Sequence, residues 1–187
     1  MRNDIYNFWK NNLPNNIKDP EGWNVVEFLK NFRTVEEYGE TAEIGCGYGR
    51  LCQAFDSEQY VGLDISPDAI NMARKLNPAY EFELIPEERL DRSFPHSRTK
   101  LLYTVLLHQS DEDISEMIKN LCETSRRIIV AEICGRKWRR EGNPPVFNRG
   151  VEEYIHMFNE HGKHSLNLIN KPHKRYAETD ISIMVFS

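Results

Sequence analysis

The chain has 187 residues and a mass of 22.0 kDa, a size that fits one domain of ordinary length. Its net charge is −5, from 24 Lys and Arg against 29 Asp and Glu, so no overall positive field attracts nucleic acid or an anionic membrane. The mean hydropathy of −0.63 is that of an ordinary globular protein, and no apolar run approaches the ~20 residues that span a bilayer.

The cysteines and the N-terminus indicate a reducing compartment. The four cysteines form no Cys-x-x-Cys pair and no His/Cys ligand pattern, so we expect reduced thiols and no metal site: Cys46, Cys52, Cys122 and Cys134. The first ten residues contain no hydrophobic secretory segment. We therefore expect a cytoplasmic monomer or homodimer that acts on a small molecule, without nucleic acid or membrane partners.

The N-terminal segment is expected to be separate in character from the rest of the chain. We expect one domain in all, with residues 1–38 as a helical or lid segment and residues 41–187 as the core. The Asn-rich start fits a loose arm or a short helix. A helix follows it, with Asp19 as the N-cap, apolar residues at helical spacing and Gly39 at its end.

From residue 41 onward, predicted strands and helices alternate, which is typical of a doubly wound α/β fold with a mainly parallel sheet. The expected strands are 41–45, 60–64, 80–85, 100–106, 127–133, 164–170 and 180–186. The expected helices are 50–55, a helix that begins at Ser66-Pro67-Asp68 and stops at Asn77, 111–124 and 149–161. Too few residues separate the last two strands for a parallel crossover, so we expect them to pair as an antiparallel edge.

A glycine-rich turn carries the strongest chemical signal. The residues Glu43-Ile44-Gly45-Cys46-Gly47-Tyr48-Gly49-Arg50 follow the first predicted strand. Closely spaced glycines allow a ligand to lie against the backbone, where side chains would block it. Asp64 ends the second strand, nineteen residues after Gly45, and its carboxylate can accept both hydroxyls of a ribose. Position 50 is Arg and not Gly, which disfavours a nicotinamide dinucleotide.

This pattern resembles the class I methyltransferases that use S-adenosylmethionine (SAM). The resemblance covers most of the chain and includes the turn at Asp64-Ile65-Ser66-Pro67, the fourth-strand region through His108, and Ile129–Glu132 on the fifth strand. It implies a seven-stranded, mainly parallel sheet with an antiparallel C-terminal strand. It also implies SAM as the cofactor and S-adenosylhomocysteine as the product.

The resemblance assigns cofactor contacts by position. Glu43 would orient the methionine end of SAM through water, Asp64 would bind the ribose, and Ile65 would pack on the adenine. The remaining expected cofactor positions lie in the glycine-rich turn and at the end of the fourth strand: Gly45, Cys46, Gly47, Gly49, Tyr103 and Thr104. Relatives often carry an Asp after the third strand, whereas this chain has Ile85-Pro86-Glu87-Glu88, and Glu87 is the expected substitute.

Candidates for methyl transfer follow the fourth and fifth strands. Ligands of open α/β sheets bind beyond the carboxyl ends of the strands, where His108 lies as the first candidate for a base or substrate contact. Its alternative role is a hydrogen bond to a neighbouring loop. Glu132 is the second catalytic candidate, with a structural carboxylate as its alternative. Tyr6, Trp9 and Arg149 are candidate substrate contacts; the alternatives are packing of the N-terminal segment and helix capping.

These observations predict a SAM-dependent methyltransferase acting on a small polar metabolite, for example a sugar or another anionic small molecule. The basic run Arg136-Lys137-Trp138-Arg139-Arg140 would suit an anionic substrate, although a solvated loop is the alternative. The alternative function is a non-catalytic SAM-binding regulatory or partner protein of the same fold, because the glycine-rich turn and Asp64 support binding and not turnover.

Overall fold

The computed structural model describes residues 2–11, 24–33, 38–86, 94–135, 146–172 and 180–187. Its described strands form one seven-stranded sheet in the order β3-β2-β1-β4-β5-β7-β6. The strands are β1 (Thr41–Ile44), β2 (Tyr60–Asp64), β3 (Glu81–Leu84), β4 (Ser97–Tyr103), β5 (Ser125–Cys134), β6 (Ser165–Pro172) and β7 (Asp180–Phe186).

The sheet is parallel from β3 to β5 and antiparallel at its C-terminal side. Strand β7 pairs antiparallel with both β5 and β6, which confirms the predicted pairing of the last two strands. The reversed strand is nevertheless β7, which lies inside the sheet, while β6 forms the edge. The burial of the two strands explains this order, because residues 181–186 are all buried whereas Leu168 of β6 is 44% exposed.

Helices cover both faces of the sheet. They are α1 (Arg2–Asn11), α2 (Val25–Arg33), α3 (Pro67–Leu76), α4 (Ile114–Glu123) and α5 (Val151–Glu160). One hydrophobic layer packs α2 and α3 against the sheet, and a second packs α4 and α5 against the opposite face. Successive strand residues alternate between these layers, so that Tyr103 lies in the first and Leu102 in the second.

The caps of two helices test the sequence prediction. The Ser66 hydroxyl accepts a hydrogen bond from the Ala69 N–H at 3.3 Å, so the predicted N-cap of α3 is confirmed. Helix α2 begins later than predicted, because the Asn24 side chain accepts the Glu27 N–H at 3.0 Å. The predicted cap, Asp19, lies outside the described residues.

Two predicted elements are wrong in type or extent. The helix expected at 50–55 is absent; turns lead instead into a short 3-10 helix at Cys52–Ala54. Positive φ angles at Gly47 and Gly49 belong to the glycine-rich turn that leads into this segment. Strand β4 ends at Tyr103 and not at residue 106, because Thr104 has a φ of +56° and turns the chain away from the sheet.

None of the helices in the described residues is long and apolar enough to cross a membrane. Within the same part of the chain, no group of three or more His, Cys, Asp and Glu side chains is arranged to hold a metal ion. All four cysteines are free.

Candidate functional site

The candidate site lies where the strand order changes direction. Strand β1 has β2 on one side and β4 on the other, so the chain leaves neighbouring strands toward opposite faces of the sheet. A crevice forms at such a switch point, beyond the carboxyl ends of the strands. Ile44 pairs with Leu63 and with Leu102, which brings the turns after β1, β2 and β4 together at this edge.

The three glycines of the turn after β1 have different surroundings. All have left-handed backbones, with φ of +74° at Gly45, +55° at Gly47 and +74° at Gly49. A Cβ at Gly45 would lie 2.7 Å from Val105, and a Cβ at Gly49 would lie 2.5 Å from Phe82. A Cβ at Gly47 would meet no described heavy atom within 4 Å. Gly45 and Gly49 therefore permit protein packing, while Gly47 borders open space.

Asp64 joins the glycine-rich turn to the start of α3. Its carboxylate accepts the Gly47 N–H at 2.8 Å and the Ser66 N–H at 2.9 Å. A carboxylate has about four acceptor positions, so it retains capacity for the hydroxyls of a ribose. Burial raises the pKa of Asp64, and the backbone N–H donors oppose that rise. Asp64 therefore lies beside the open space at Gly47, as a ribose-binding carboxylate requires.

Glu43 lies beneath this turn, in the first hydrophobic layer. Its side chain is 2% exposed and accepts a hydrogen bond from the Tyr60 hydroxyl. Burial raises the pKa of Glu43 to about 8, although the hydrogen bond from Tyr60 and the charge of Arg50 both lower it. Its visible role is to support the strands under the turn, and a contact with the methionine end of SAM stays a prediction.

Three other expected cofactor positions differ in which atoms they present. The Cys46 thiol is buried in the core, so this residue offers only its backbone to a ligand. Ile65 is half-buried and directly follows Asp64. Tyr103 is 7% exposed, and the guanidinium carbon of Arg50 lies 5.0 Å from the centre of its ring. Glu87 lies outside the described residues.

The turn after β4 holds the strained backbone of the site. Thr104 is the one non-glycine residue in the described part of the chain with a positive φ, and such conformations persist only where surrounding contacts enforce them. A short 3-10 helix at Leu106–His108 follows it. We name residues 104–109 the β4 turn.

The N-terminal helix α1 reaches this edge of the sheet. The ring centres of Trp9 and His108 are 4.9 Å apart in an edge-on arrangement. The Ser66 hydroxyl donates a hydrogen bond to the Lys10 carbonyl oxygen at 3.4 Å. Tyr6 lies three residues before Trp9 on the same helix. Helix α1 therefore contacts both the β4 turn and the residue that caps α3.

Glu132 and Arg149 both lie behind the β4 turn and are shielded from solvent. Glu132 is 0% exposed, and its Oε1 atom accepts the N–H groups of Val105 at 2.9 Å and Leu106 at 2.6 Å. Burial raises the pKa of Glu132 to about 8, while these N–H groups and the charge of Arg149 lower it. Both side chains act on the turn in this structure, whereas roles as catalyst and substrate contact stay predictions.

Arg149 is 3% exposed and binds the same turn through its carbonyl groups. Its guanidinium donates to the Leu106 oxygen at 3.2 Å and to the Gln109 oxygen at 2.9 Å, and it forms an ion pair with the exposed Asp111. These contacts depend on the fold and not on any local motif.

Sequence reasoning missed the side chains that support the predicted ones. Tyr60 is the partner of Glu43, and Tyr154 of α5 lies close to Glu132 and Arg149. Gly62, two residues after Tyr60, pairs with Glu43 in the strand register. The closeness of Tyr60 to Glu43 can be inferred only once that register is known.

Comparisons with known proteins agree with this architecture. The sequence matches the methyltransferase domain family over residues 42–127, from β1 into β5. No curated protein has a significant sequence match.

Solved structures match more of the chain at low sequence identity. Magnesium protoporphyrin IX methyltransferase from Synechocystis PCC 6803, solved with bound SAM, is 15% identical with a TM-score of 0.71 over 99% of this chain and 89% of its own. A SAM-dependent methyltransferase from Leishmania major is 14% identical, with a TM-score of 0.77 over 99% and 82% of the two chains. The 1,6-didemethyltoxoflavin-N1-methyltransferase of Burkholderia thailandensis is 14% identical, with a TM-score of 0.67 over 86% and 76%.

The seven-stranded, mainly parallel sheet with its antiparallel C-terminal strand is the one that the resemblance implied, and the matched domain contains the glycine-rich turn and Asp64. The structural likeness shows the fold, and the domain match covers residues 42–127. The chain therefore has the class I methyltransferase fold, and this part of it is similar to a methyltransferase domain.

Proposed function

We propose that this enzyme transfers the methyl group of SAM to a small polar metabolite, for example a sugar or another anionic small molecule. The observation that carries the proposal is the open space at Gly47, bordered by the Asp64 carboxylate. A side chain at Gly47 would occupy the place where the cofactor must approach the protein backbone. Asp64 keeps acceptor capacity for ribose hydroxyls.

Other residues would complete the cofactor site. Ile65 would pack on the adenine, and Thr104 would border the methionine end from the end of β4. SAM supplies a methyl group already activated by its sulfonium, so the protein's main contribution is to hold the acceptor in line with that methyl group. The turn after β1 and the β4 turn lie at the same edge of the sheet, which supports this placement of cofactor and acceptor.

Removal of a proton from the acceptor is the chemical task left to the protein. A hydroxyl or an ammonium must lose a proton to act as a nucleophile, and His108 is the residue of the β4 turn suited to accept it near neutral pH. His108 is half-buried at the carboxyl edge and contacts Trp9. We propose His108 as the general base, with α1 excluding water from the same region.

The substrate class rests on a basic run in the sequence. Residues 136–140 lie outside the described residues; in the sequence they begin two positions after Cys134, the last residue of β5. A run with four basic residues in five would attract a carboxylate or a phosphate. We also propose that residues 1–187 act as one cytoplasmic domain, as a monomer or homodimer without nucleic acid partners.

The decisive experiment offers the purified protein SAM labelled in its methyl group together with a metabolite extract. We expect SAM to bind in calorimetry, NAD not to bind, and label to enter a small polar compound. Asp64→Asn serves as the binding-deficient control. Binding of SAM with no labelled product would support the non-catalytic alternative, and binding of NAD without SAM would overturn the proposal.

A further inference from the structure

The β4 turn is held from behind by two side chains of different elements. Glu132 of β5 binds two of its N–H groups, on Val105 and Leu106, and Arg149 binds two of its carbonyl groups, on Leu106 and Gln109. The donors and the acceptors of one turn are therefore fixed by one carboxyl group and one guanidinium group. This double attachment leaves the turn little freedom to shift.

The two side chains form one buried cluster with Tyr154. Glu132 and Tyr154 are 0% exposed and Arg149 is 3% exposed. The charge of Arg149 lowers the pKa of Glu132, and burial followed by the charge of Glu132 raises the pKa of Tyr154. Each member of the cluster therefore lies within electrostatic reach of the others.

Each member also has one buried polar atom that lacks a partner with good hydrogen-bond geometry among the described residues, although Arg149 lies close enough to the Tyr154 hydroxyl to lower its pKa through a hydrogen bond. These atoms are Glu132 Oε2, Arg149 Nε and the Tyr154 hydroxyl. Glu132 Oε2 can accept a hydrogen bond, Arg149 Nε can donate one, and the Tyr154 hydroxyl can do both. Buried polar groups are almost always satisfied in native proteins, and a site with two to four polar partners is where internal water binds.

We propose that Glu132 and Arg149 are positioning residues for methyl transfer, and that they clamp the β4 turn together with a water molecule buried between them and Tyr154. The clamp holds Thr104 in its left-handed conformation, which is strained for a residue with a Cβ. It also fixes His108, four residues further along, and through His108 the position of Trp9.

The clamp acts through the turn and not on the reacting atoms. Neither carboxylate oxygen of Glu132 is exposed, and the guanidinium of Arg149 is directed to backbone oxygens of the turn and to Asp111. This assignment rests on the proposed function for its catalytic consequence, while the position of the turn can be measured separately.

The experiment compares Arg149→Lys and Glu132→Ala with the wild type by two readouts. The first is Trp9 emission, obtained as the difference between each protein and its Trp9→Phe counterpart. The second is transfer of label from SAM into the metabolite extract, with S-adenosylhomocysteine affinity measured by calorimetry. We expect a red-shifted Trp9 emission and at least tenfold slower transfer, with affinity for S-adenosylhomocysteine changed less than threefold.

Conservative and matched variants separate a clamp from a general loss of stability. Glu132→Gln keeps an oxygen that accepts the N–H groups of Val105 and Leu106, so it should restore Trp9 emission and most of the transfer rate. Asp111→Asn removes only the exposed ion-pair partner of Arg149, and its transfer rate should stay within twofold of the wild type.

The proposal fails if Arg149→Lys and Glu132→Ala show wild-type emission and transfer, or if their main defect is in S-adenosylhomocysteine binding. Should either variant not fold, Tyr154→Phe removes a single buried hydroxyl, and an unchanged emission in that variant would also contradict the clamp. A crystal structure of the wild type without water between Glu132, Arg149 and Tyr154 would contradict the water. If the wild type transfers no label, the proposed function fails, and Trp9 emission still tests the clamp.

Discussion

Two buried carboxyl groups, Glu43 and Glu132, lie on opposite faces of the same sheet. Burial raises the pKa of each to about 8. Glu43 accepts from a side chain, the Tyr60 hydroxyl, whereas Glu132 accepts from backbone N–H groups and faces Arg149. Equal burial gives the two carboxyl groups similar pKa values, while their hydrogen-bond partners decide what each of them supports. Glu43 supports the strands under the cofactor turn, and Glu132 fixes the β4 turn.

The largest expected effect concerns the cofactor side. Gly49→Ala places a Cβ 2.5 Å from Phe82 at a φ of +74°, so overpacking and backbone strain together should lower the free energy of unfolding by about 2–4 kcal/mol. Thermal unfolding measures this loss. Gly47→Ala is the matched control, because it has open space around its Cβ; it should lose only about 1–2 kcal/mol of stability but at least tenfold in SAM affinity. The opposite pattern would exchange the roles of the two glycines.

The next effect concerns the acceptor side. His108→Ala should lower label transfer roughly 10²-fold, the lower end of the range for general-base catalysis, while SAM affinity changes only a few-fold. Steady-state rates and calorimetry on the same preparation separate the two quantities. His156→Ala, on an exposed face of α5, is the control. A larger loss of SAM affinity than of rate would make His108 a cofactor or structural residue.

Asp64→Ala tests the cofactor side more directly. Loss of the carboxylate should weaken SAM binding by about 1–3 kcal/mol, equivalent to roughly 5- to 150-fold in Kd, because buried hydrogen bonds are left unmade. Calorimetry gives the affinity, and Asp68→Asn on the exposed start of α3 provides the control. Unchanged affinity in Asp64→Ala would remove Asp64 from the ribose site.

The raised pKa values of Glu43 and Glu132 make the free energy of unfolding depend on pH. A carboxyl whose folded pKa is raised contributes stability that is complete below its unfolded pKa of about 4.5 and is lost as pH rises through about 8. The free energy of unfolding should therefore fall between pH 5 and pH 8. Burial lowers the pKa of Lys100 to about 8, so its contribution changes only above this window.

Glutamine variants separate the contributions of Glu43 and Glu132 to this pH dependence. Glu43→Gln and Glu132→Gln each remove one titrating group, so each should flatten the pH dependence measured by denaturant unfolding. A slope unchanged in both variants would contradict the raised pKa values.

The smallest expected effect is at Ser66, which caps α3 and contacts α1. Ser66→Ala removes the N-cap of α3 and the hydrogen bond to Lys10, so stability should fall by about 1 kcal/mol. Ser115→Ala, at an exposed position of α4, should change stability by less than about 0.5 kcal/mol. An equal effect in both variants would exclude a capping role for Ser66.

Much of the fold could be predicted from the sequence because the local signals are consistent. The alternation of strands and helices, the cap at Ser66 and the short link before β7 each carry a local physical reason. The order of β6 and β7 could not be read, because it depends on which strand buries both faces. The predicted helix at 50–55 was wrong, because the residues after the glycine-rich turn form turns and a short 3-10 helix instead.

The site divides in the same way. The closeness of Gly47 to Asp64 could be expected from spacing, because the turn after β1 and the end of β2 lie at the same edge of two neighbouring parallel strands. The partners of the buried groups were not predicted, since Tyr60 reaches Glu43, and the N–H groups of Val105 and Leu106 reach Glu132, only through strand register and turn geometry.

The φ of +56° at Thr104 has a consequence for engineering this enzyme. Glycine adopts that torsion without the steric cost of a Cβ, so Thr104→Gly would relieve strain in the folded state. The same replacement would let the chain visit other conformations at the end of β4. A replacement chosen only to relieve backbone strain at Thr104 would therefore make the β4 turn less rigid. At this position, lower strain and the rigidity that we propose for turnover are opposed.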